Sequence, residues 1–147
     1  MKDLLYLKDE QIKEFIQLLY YAYRETFSDP KQVLSKKFFG PAHLRALNLI
    51  ERNPGINLGE LIFRLKVTKQ SLNRVLKDLI NLKAIKYEKD QVDTRIKHVY
   101  LTDEGEKLFN EIFSAQKKRI YQAFSASKAN EVVSFDNVLK KIINGKI

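Results

Sequence analysis

The chain has 147 residues, 44% of them hydrophobic, which suits one domain, residues 1–147, with a substantial core. Its net charge of +9 favours a polyanionic partner such as nucleic acid, although solubility alone can explain a small basic protein. The absence of cysteine excludes disulfides and thiolate metal sites. No apolar run approaches the roughly 20 residues of a membrane span, and the start does not resemble a signal peptide, so we expect a cytoplasmic protein.

The first predicted element is a long amphipathic helix from Asp9 to about Phe27, in which apolar residues recur at helical spacing. Asp9 is placed as its N-cap. Pro30 interrupts the helix because a proline disfavours the α conformation in the residue before it. A short helical run or loop follows. Pro41 then suits the first turn of another helix, which ends before Asn53-Pro54-Gly55.

Two further helices are predicted to be joined by a tight turn. Asn57, followed by Glu60, forms a capping-box-like start to a short helix. Thr68 is placed to cap the next helix, which runs to about Leu82. Between them, Leu65-Lys66-Val67 has the length of a turn that joins two helices at a steep angle. The pattern therefore predicts a helix-turn-helix.

The second of these helices has an apolar side and a polar side. Its apolar residues have the spacing of a buried stripe, and they are Leu72, Val75, Leu76, Leu79 and Ile80. The polar side suits DNA because arginine can pair with guanine, asparagine or glutamine with adenine, and lysine with phosphate. We expect base contacts from Thr68, Gln70, Asn73 and Arg74. We expect phosphate contacts from Lys66, Lys69 and Lys77, and also from Lys97, which lies further along the chain. An ordinary solvated helix face is the alternative.

Beyond this helix the pattern becomes extended. Residues 84–89 and 95–101 flank a charged turn, which predicts a β-hairpin wing. Period-two alternation places Val99 on the core side of the hairpin. Arg95 is expected to meet phosphate or enter a minor groove, with Asp93 as the partner that orients its guanidinium group.

Two more helices are predicted after the wing. Thr102 is placed to cap the first, and the second runs from about Lys128 to Ile143. The terminal helices carry more large apolar residues than the central segment can cover. We therefore expect the helices at about 9–28 and 102–145 to interlock with a second copy of the chain, because closed twofold dimers are the commonest oligomers. Folding back on their own chain is the alternative.

Four short motifs occur in an order and spacing that is specific, although each alone is weak. They are Asn53-Pro54-Gly55-Ile56-Asn57-Leu58-Gly59-Glu60-Leu61, Thr68-Lys69-Gln70-Ser71-Leu72-Asn73-Arg74, Asp93-Thr94-Arg95 and Leu101-Thr102-Asp103-Glu104-Gly105. With them, the stretch from about Gly40 to Glu106 resembles the MarR family (multiple antibiotic resistance regulator type) of winged-helix transcription factors. The resemblance implies a mainly α fold with a small β-wing, a winged helix-turn-helix at about 40–102, and N- and C-terminal dimerisation helices.

The resemblance also implies a function. It implies a homodimer whose lobes bind adjacent major grooves of a pseudo-palindromic operator in double-stranded DNA, usually repressing transcription, while both copies of Arg95 reach into minor grooves. Many members of the family respond to a small aromatic ligand held between the dimer helices and the DNA-binding lobe. Candidate residues for such a cavity are Tyr20, Tyr21, Tyr23, Phe27, Phe38, Phe39 and His43. An aromatic core is the alternative for this set.

Two positions depart from the family pattern. Lys83 stands where the family usually has glycine, at the end of the recognition helix. A left-handed conformation costs a non-glycine residue roughly 1 kcal/mol, so we expect a changed cap rather than a changed fold. Tyr87 stands where arginine is common, which removes one phosphate contact.

Other functions have less support in the sequence. The chain has two histidines, His43 and His98, far apart and without a metal-ligand spacing, so we expect no enzyme, no metal and no cofactor. Non-specific or architectural nucleic-acid binding, RNA binding and protein docking remain open, because a fold does not fix its partner.

Overall fold

The computed structural model describes residues 4–144. In this range a 3-10 turn at Leu5–Leu7 precedes seven α-helices and three short strands. They are α1 (Asp9–Ser28), α2 (Lys31–Ser35), α3 (Pro41–Arg52), β1 (Ile56–Asn57), α4 (Leu58–Leu65), α5 (Lys69–Asn81), β2 (Ile85–Lys89), β3 (Lys97–Leu101), α6 (Asp103–Ser125) and α7 (Ala129–Ile142). The predicted class, mainly α with a small β-wing, is confirmed. None of the described helices combines the length and apolarity needed to cross a membrane.

The three strands form one antiparallel sheet in the order β1-β3-β2. The β2–β3 hairpin is the predicted wing, paired from Ile85 with Leu101 to Lys89 with Lys97. The strand β1 was not predicted, because two residues are too few to show an alternating pattern. Its Ile56 pairs with Val99 of β3, so the wing is fixed to the start of α4.

The hydrophobic core lies within the central module, where α3, α4 and α5 meet β3 and the first half of α6. Its largest fully buried side chains include Leu44, Leu47, Ile50, Leu61, Leu76, Leu79, Val99 and Ile112. The apolar stripe predicted for α5 is buried except at Ile80, which is 37% exposed. At about 100° per residue, Ile80 lies roughly 80° around the helix from Leu72 and so at the edge of the stripe.

Three of the four predicted helix caps are confirmed. The side chains of Asn57, Thr68 and Thr102 accept the backbone N–H groups three residues further on. Asp9 as a cap was wrong, since Lys8 occupies the N-cap position without a side-chain bond. Asp9 instead lies in the first turn, where its negative charge favours the positive end of the helix dipole.

The end of α5 shows how the chain accommodates Lys83. Its φ of 59° is left-handed, as expected for a position where glycine is usual. The Lys83 N–H donates to the Ile80 carbonyl at 2.8 Å, and the Ala84 N–H donates to the Leu79 carbonyl at 2.9 Å. The fold is therefore retained as expected, but the expected change of the cap was wrong, because the ordinary pair of capping bonds is present.

The start of α6 packs directly on the segment after α5. The Thr102 N–H donates to the Ala84 carbonyl at 3.0 Å, and the Thr102 hydroxyl donates to the Lys83 carbonyl. Gly105 approaches so closely that an added Cβ would lie 1.9 Å from the Ala84 oxygen. A side chain at this position is incompatible with the junction.

We predict that Gly105→Ala destabilises the protein by on the order of 3 kcal/mol, because backbone would have to move to admit the methyl group. Chemical denaturation measures the difference. Gly40→Ala is the matched control, since an added Cβ there meets no atom within 4 Å, and its effect should stay within about 1 kcal/mol. Equal stability of both variants would contradict the proposed steric requirement.

Candidate nucleic-acid interface

The polar side of α5 is exposed over its whole length. The four residues predicted to contact bases lie together at its start, and they are Thr68, Gln70, Asn73 and Arg74. Lys66, Lys69 and Lys77 are also exposed around them. The burial of Leu72 and Leu76 on the opposite side fixes this orientation. The helix thus presents amides and cations to solvent at one surface.

Thr68 already uses its hydroxyl group within the protein. The oxygen accepts the Ser71 N–H at 3.1 Å, and the hydroxyl donates to the Ser71 Oγ at 3.0 Å. Its donor is therefore engaged as the helix begins, and the methyl group is the part of Thr68 left for an apolar contact such as a thymine methyl.

The cations on this surface are not neutralised by neighbouring carboxylates. Among residues 4–144, no carboxylate oxygen lies within 4.0 Å of the charged nitrogens of Lys66, Lys69, Arg74, Lys77 or Lys97. The Lys97 ammonium instead lies 5.5 Å from the centroid of the Tyr87 ring, a cation–π distance. The tyrosine that replaces the family arginine therefore positions a lysine at the wing.

The wing holds Arg95 in the geometry predicted from the sequence. Arg95 Nε and Nη2 donate to the two carboxylate oxygens of Asp93 at 3.0 and 3.1 Å, and the Arg95 N–H donates at 3.0 Å. These bonds lower the pKa of Asp93, first through the guanidinium and then through the backbone N–H. The Arg95 side chain is still 90% exposed, so its free edge faces outward.

His98 fixes the wing to the helix-turn-helix, a role that was not predicted from the sequence. Its Nδ1 lies 2.8 Å from the Gly55 carbonyl oxygen, and its Nε2 lies 2.8 Å from Asp90 Oδ1. Asp90 also accepts the N–H groups of Asp93 and Val92, and these bonds together with His98 lower its pKa to about 2. Both partners of the ring only accept, so the protonated ring, which has a proton on each nitrogen, satisfies both of them.

The aromatic residues of the first helices are only partly brought together. Tyr23, Phe27 and Phe39 line a cavity of about 400 Å³, alongside Arg24 and Lys31. The other four candidates do not line it. Tyr20 and Tyr21 are exposed on α1, Phe38 is 95% exposed, and His43 stacks behind Phe39 with ring centroids 4.3 Å apart. Arg24 and Lys31 were not predicted here, because the helical spacing of aromatic residues carries no signal for a neighbouring cation.

Comparison with known proteins identifies the family. A family model described as "MarR family" matches residues 39–96. The chain is 38% identical over 141 residues to the HTH-type transcriptional regulator PetP of Rhodobacter capsulatus, covering 96% of this chain and 85% of that protein. This chain belongs to the MarR family. Members are DNA-binding transcriptional regulators rather than enzymes, so both of those predictions are confirmed at the level of the family.

Solved structures of the family share the fold described here. A MarR-family regulator from Silicibacter pomeroyi matches with a TM-score of 0.78 at 18% identity, covering 99% of this chain and 97% of that one. The S. aureus MepR F27L mutant bound to an oligodeoxyribonucleotide matches with a TM-score of 0.59 at 18% identity, covering 90% and 95%. The winged helix-turn-helix and the terminal helices are thus common to these chains.

The bridge made by His98 predicts a pH dependence. Its partners, Asp90 first and then the Gly55 carbonyl, raise the pKa of His98 above 6.5. A raised pKa means that the bridge contributes its full stabilisation below pH 6.5, and that this contribution is lost as pH rises through the raised value. An NMR titration of the His98 ring should therefore give a pKa above 6.5.

Asp90→Asn is the control for this titration. It removes the ionised partner, so the His98 pKa should move back toward 6.5 and the stability of the variant should depend less on pH in this range. His98→Gln removes the His98 resonance and so assigns it, because His43 is the other histidine of the sequence and remains in place. An unchanged titration in Asp90→Asn would refute the bridge as the cause.

Proposed function

We propose that this MarR-family regulator acts as a homodimer on a pseudo-palindromic operator and represses transcription by occupying the promoter. The observation that carries the proposal is the exposed start of α5. Side chains that can hydrogen-bond to base edges lie there among cations that, within residues 4–144, form no ion pair with a carboxylate. The oligodeoxyribonucleotide bound to MepR supports a DNA role for this fold. Because chromosomal DNA is its proposed partner, we also propose that the protein acts in the cytoplasm.

In this proposal the roles are divided along the interface. Arg74 pairs with guanine, Gln70 and Asn73 pair with adenine, and Thr68 contacts a base through its methyl group. Lys66, Lys69, Lys77 and Lys97 hold phosphates, which sets the position of the protein without reading sequence. Arg95 enters the minor groove with the edge of its guanidinium that Asp93 leaves open.

The terminal helices support the homodimer. The single chain leaves large apolar side chains exposed on α1, α6 and α7, among them Phe15, Phe113, Phe124, Phe135 and Ile142, each at least 40% exposed. An apolar groove of about 430 Å³ also runs beside α6. A second copy would cover these faces and set two α5 helices about one DNA turn apart, roughly 10 base pairs.

We further propose a small aromatic anion as effector. The cavity of about 400 Å³ beside α1 combines the rings of Tyr23, Phe27 and Phe39 with the cation of Lys31 and with Arg24, whose guanidinium is paired with Glu25. Its volume lies in the range of small-molecule sites. Aromatic walls and positive charge together suit a ring that carries a carboxylate or phenolate group.

Selection of random DNA duplexes by the purified protein, near physiological salt, tests the function. We expect an inverted repeat with half-sites about 10 base pairs apart, and a molar mass of two chains by light scattering. Binding without a preferred sequence, with a steep salt dependence, would indicate the alternative of non-specific coating. A mass of one chain would contradict the dimer.

A pair of substitutions separates base contact from phosphate contact. Arg74→Ala should cost about 1–3 kcal/mol at the selected operator and little on random DNA, because it removes a base-specific pair. Lys77→Ala, four residues from Asn73 on the same exposed side, should weaken binding to both duplexes equally. Fluorescence anisotropy measures these affinities and so distinguishes a base contact from a phosphate contact. An equal loss on both duplexes for Arg74→Ala would reassign Arg74 to phosphate.

A further inference from the structure

The recognition helix contains a single acidic residue. Asp78 lies four positions after Arg74 and is the one carboxylate in the sequence of α5. Residues at i and i+4 lie on the same side of a helix, close enough for an arginine and an aspartate to form an ion pair. An Arg74–Asp78 pair would occupy the guanidinium group that the proposed function assigns to guanine.

In the structure Asp78 is bound elsewhere. Its Oδ2 lies 2.8 Å from Nε2 of His43, which is 35 residues away in sequence and part of α3. The other ring nitrogen of His43, Nδ1, accepts the Gly40 N–H at 3.0 Å. A nitrogen that accepts carries no proton, so the proton of the neutral ring is on Nε2 and is donated to Asp78.

This hydrogen bond has a fixed geometry. The His43 side chain is only 13% exposed, and its ring is stacked nearly parallel to Phe39, at 7° between planes. The Asp78 side chain is 46% exposed and free to choose another rotamer if the histidine were absent. Within residues 4–144, no carboxylate lies within 4.0 Å of the Arg74 guanidinium.

We infer that His43 is a positioning residue for DNA recognition, which binds Asp78 and so keeps Arg74 available to its base. The inference rests on the proposed role of Arg74. His43 contacts no DNA itself and acts through Asp78. Since Phe39 lines the aromatic cavity and stacks on His43, the cavity wall and the recognition helix are two contacts apart.

Measurement of operator affinity in a double-mutant cycle tests this inference in the full-length chain. His43→Asn keeps a side-chain acceptor near the Gly40 N–H but is too short to reach Asp78. It should weaken binding to the selected operator roughly two- to fivefold, the size of an exposed ion pair that must be broken. His43→Gln, whose Nε2 can still donate to Asp78, should restore most of the affinity.

His43→Asn should have no effect on affinity once either member of the competing Arg74–Asp78 ion pair is removed. In the Asp78→Asn background and in the Arg74→Ala background, His43→Asn should leave affinity unchanged. A loss that persists in Asp78→Asn would show that His43 only supports the fold, and would overturn the inference. Wild-type affinity in His43→Asn alone would also overturn the inference. An equal loss of affinity for operator and random DNA in Arg74→Ala would instead overturn the proposed base contact of Arg74, on which the inference rests.

Discussion

Burial of one side of α5 is the constraint on which the rest of the interface depends. Leu72, Leu76 and Leu79 are at most 2% exposed, and each contributes about 1.5–3 kcal/mol by leaving water. Rotation of the helix would expose these side chains, so the packing against α3 and the wing fixes which residues face solvent. The direction of Arg74 and its neighbours is therefore set by the core and not by any polar contact.

Polar contacts then fix the elements around that helix. His43 joins α3 to α5, and His98 joins the wing to the turn before α4. Thr102 joins the start of α6 to the segment after α5. Each spans a large separation in sequence, so these contacts join the helix-turn-helix to the wing, as the proposed simultaneous contact with a major and a minor groove requires.

The helices, the wing and most caps could be predicted because they depend on local spacing and on residues three positions apart. Contacts between distant residues could not. Nothing near His98 in the sequence points to Gly55, and nothing near His43 points to Asp78. The predicted aromatic cavity was partly wrong for a related reason, since helical spacing shows only that residues share a face of a helix. Phe38 does not line the cavity because its backbone, at φ 59°, directs its side chain to solvent. The terminal helices keep large apolar side chains exposed in the single chain, and spacing alone does not define the proposed partner that would cover them.

The acidic residues of the interface show how a segment that contains both carboxylates and cations presents a positive surface. From Glu60 to Lys97 the five carboxylates each have a partner: Arg64, His43, Lys86, His98 and Arg95. Within the described residues, the cations of this segment with no carboxylate inside 4.0 Å are Lys66, Lys69, Arg74, Lys77, Lys83, Lys89 and Lys97. A polyanion reaching these cations has no internal ion pair to break. Because two of the five carboxylates are held by histidine rather than by lysine or arginine, more of the permanent charge is left for the phosphates.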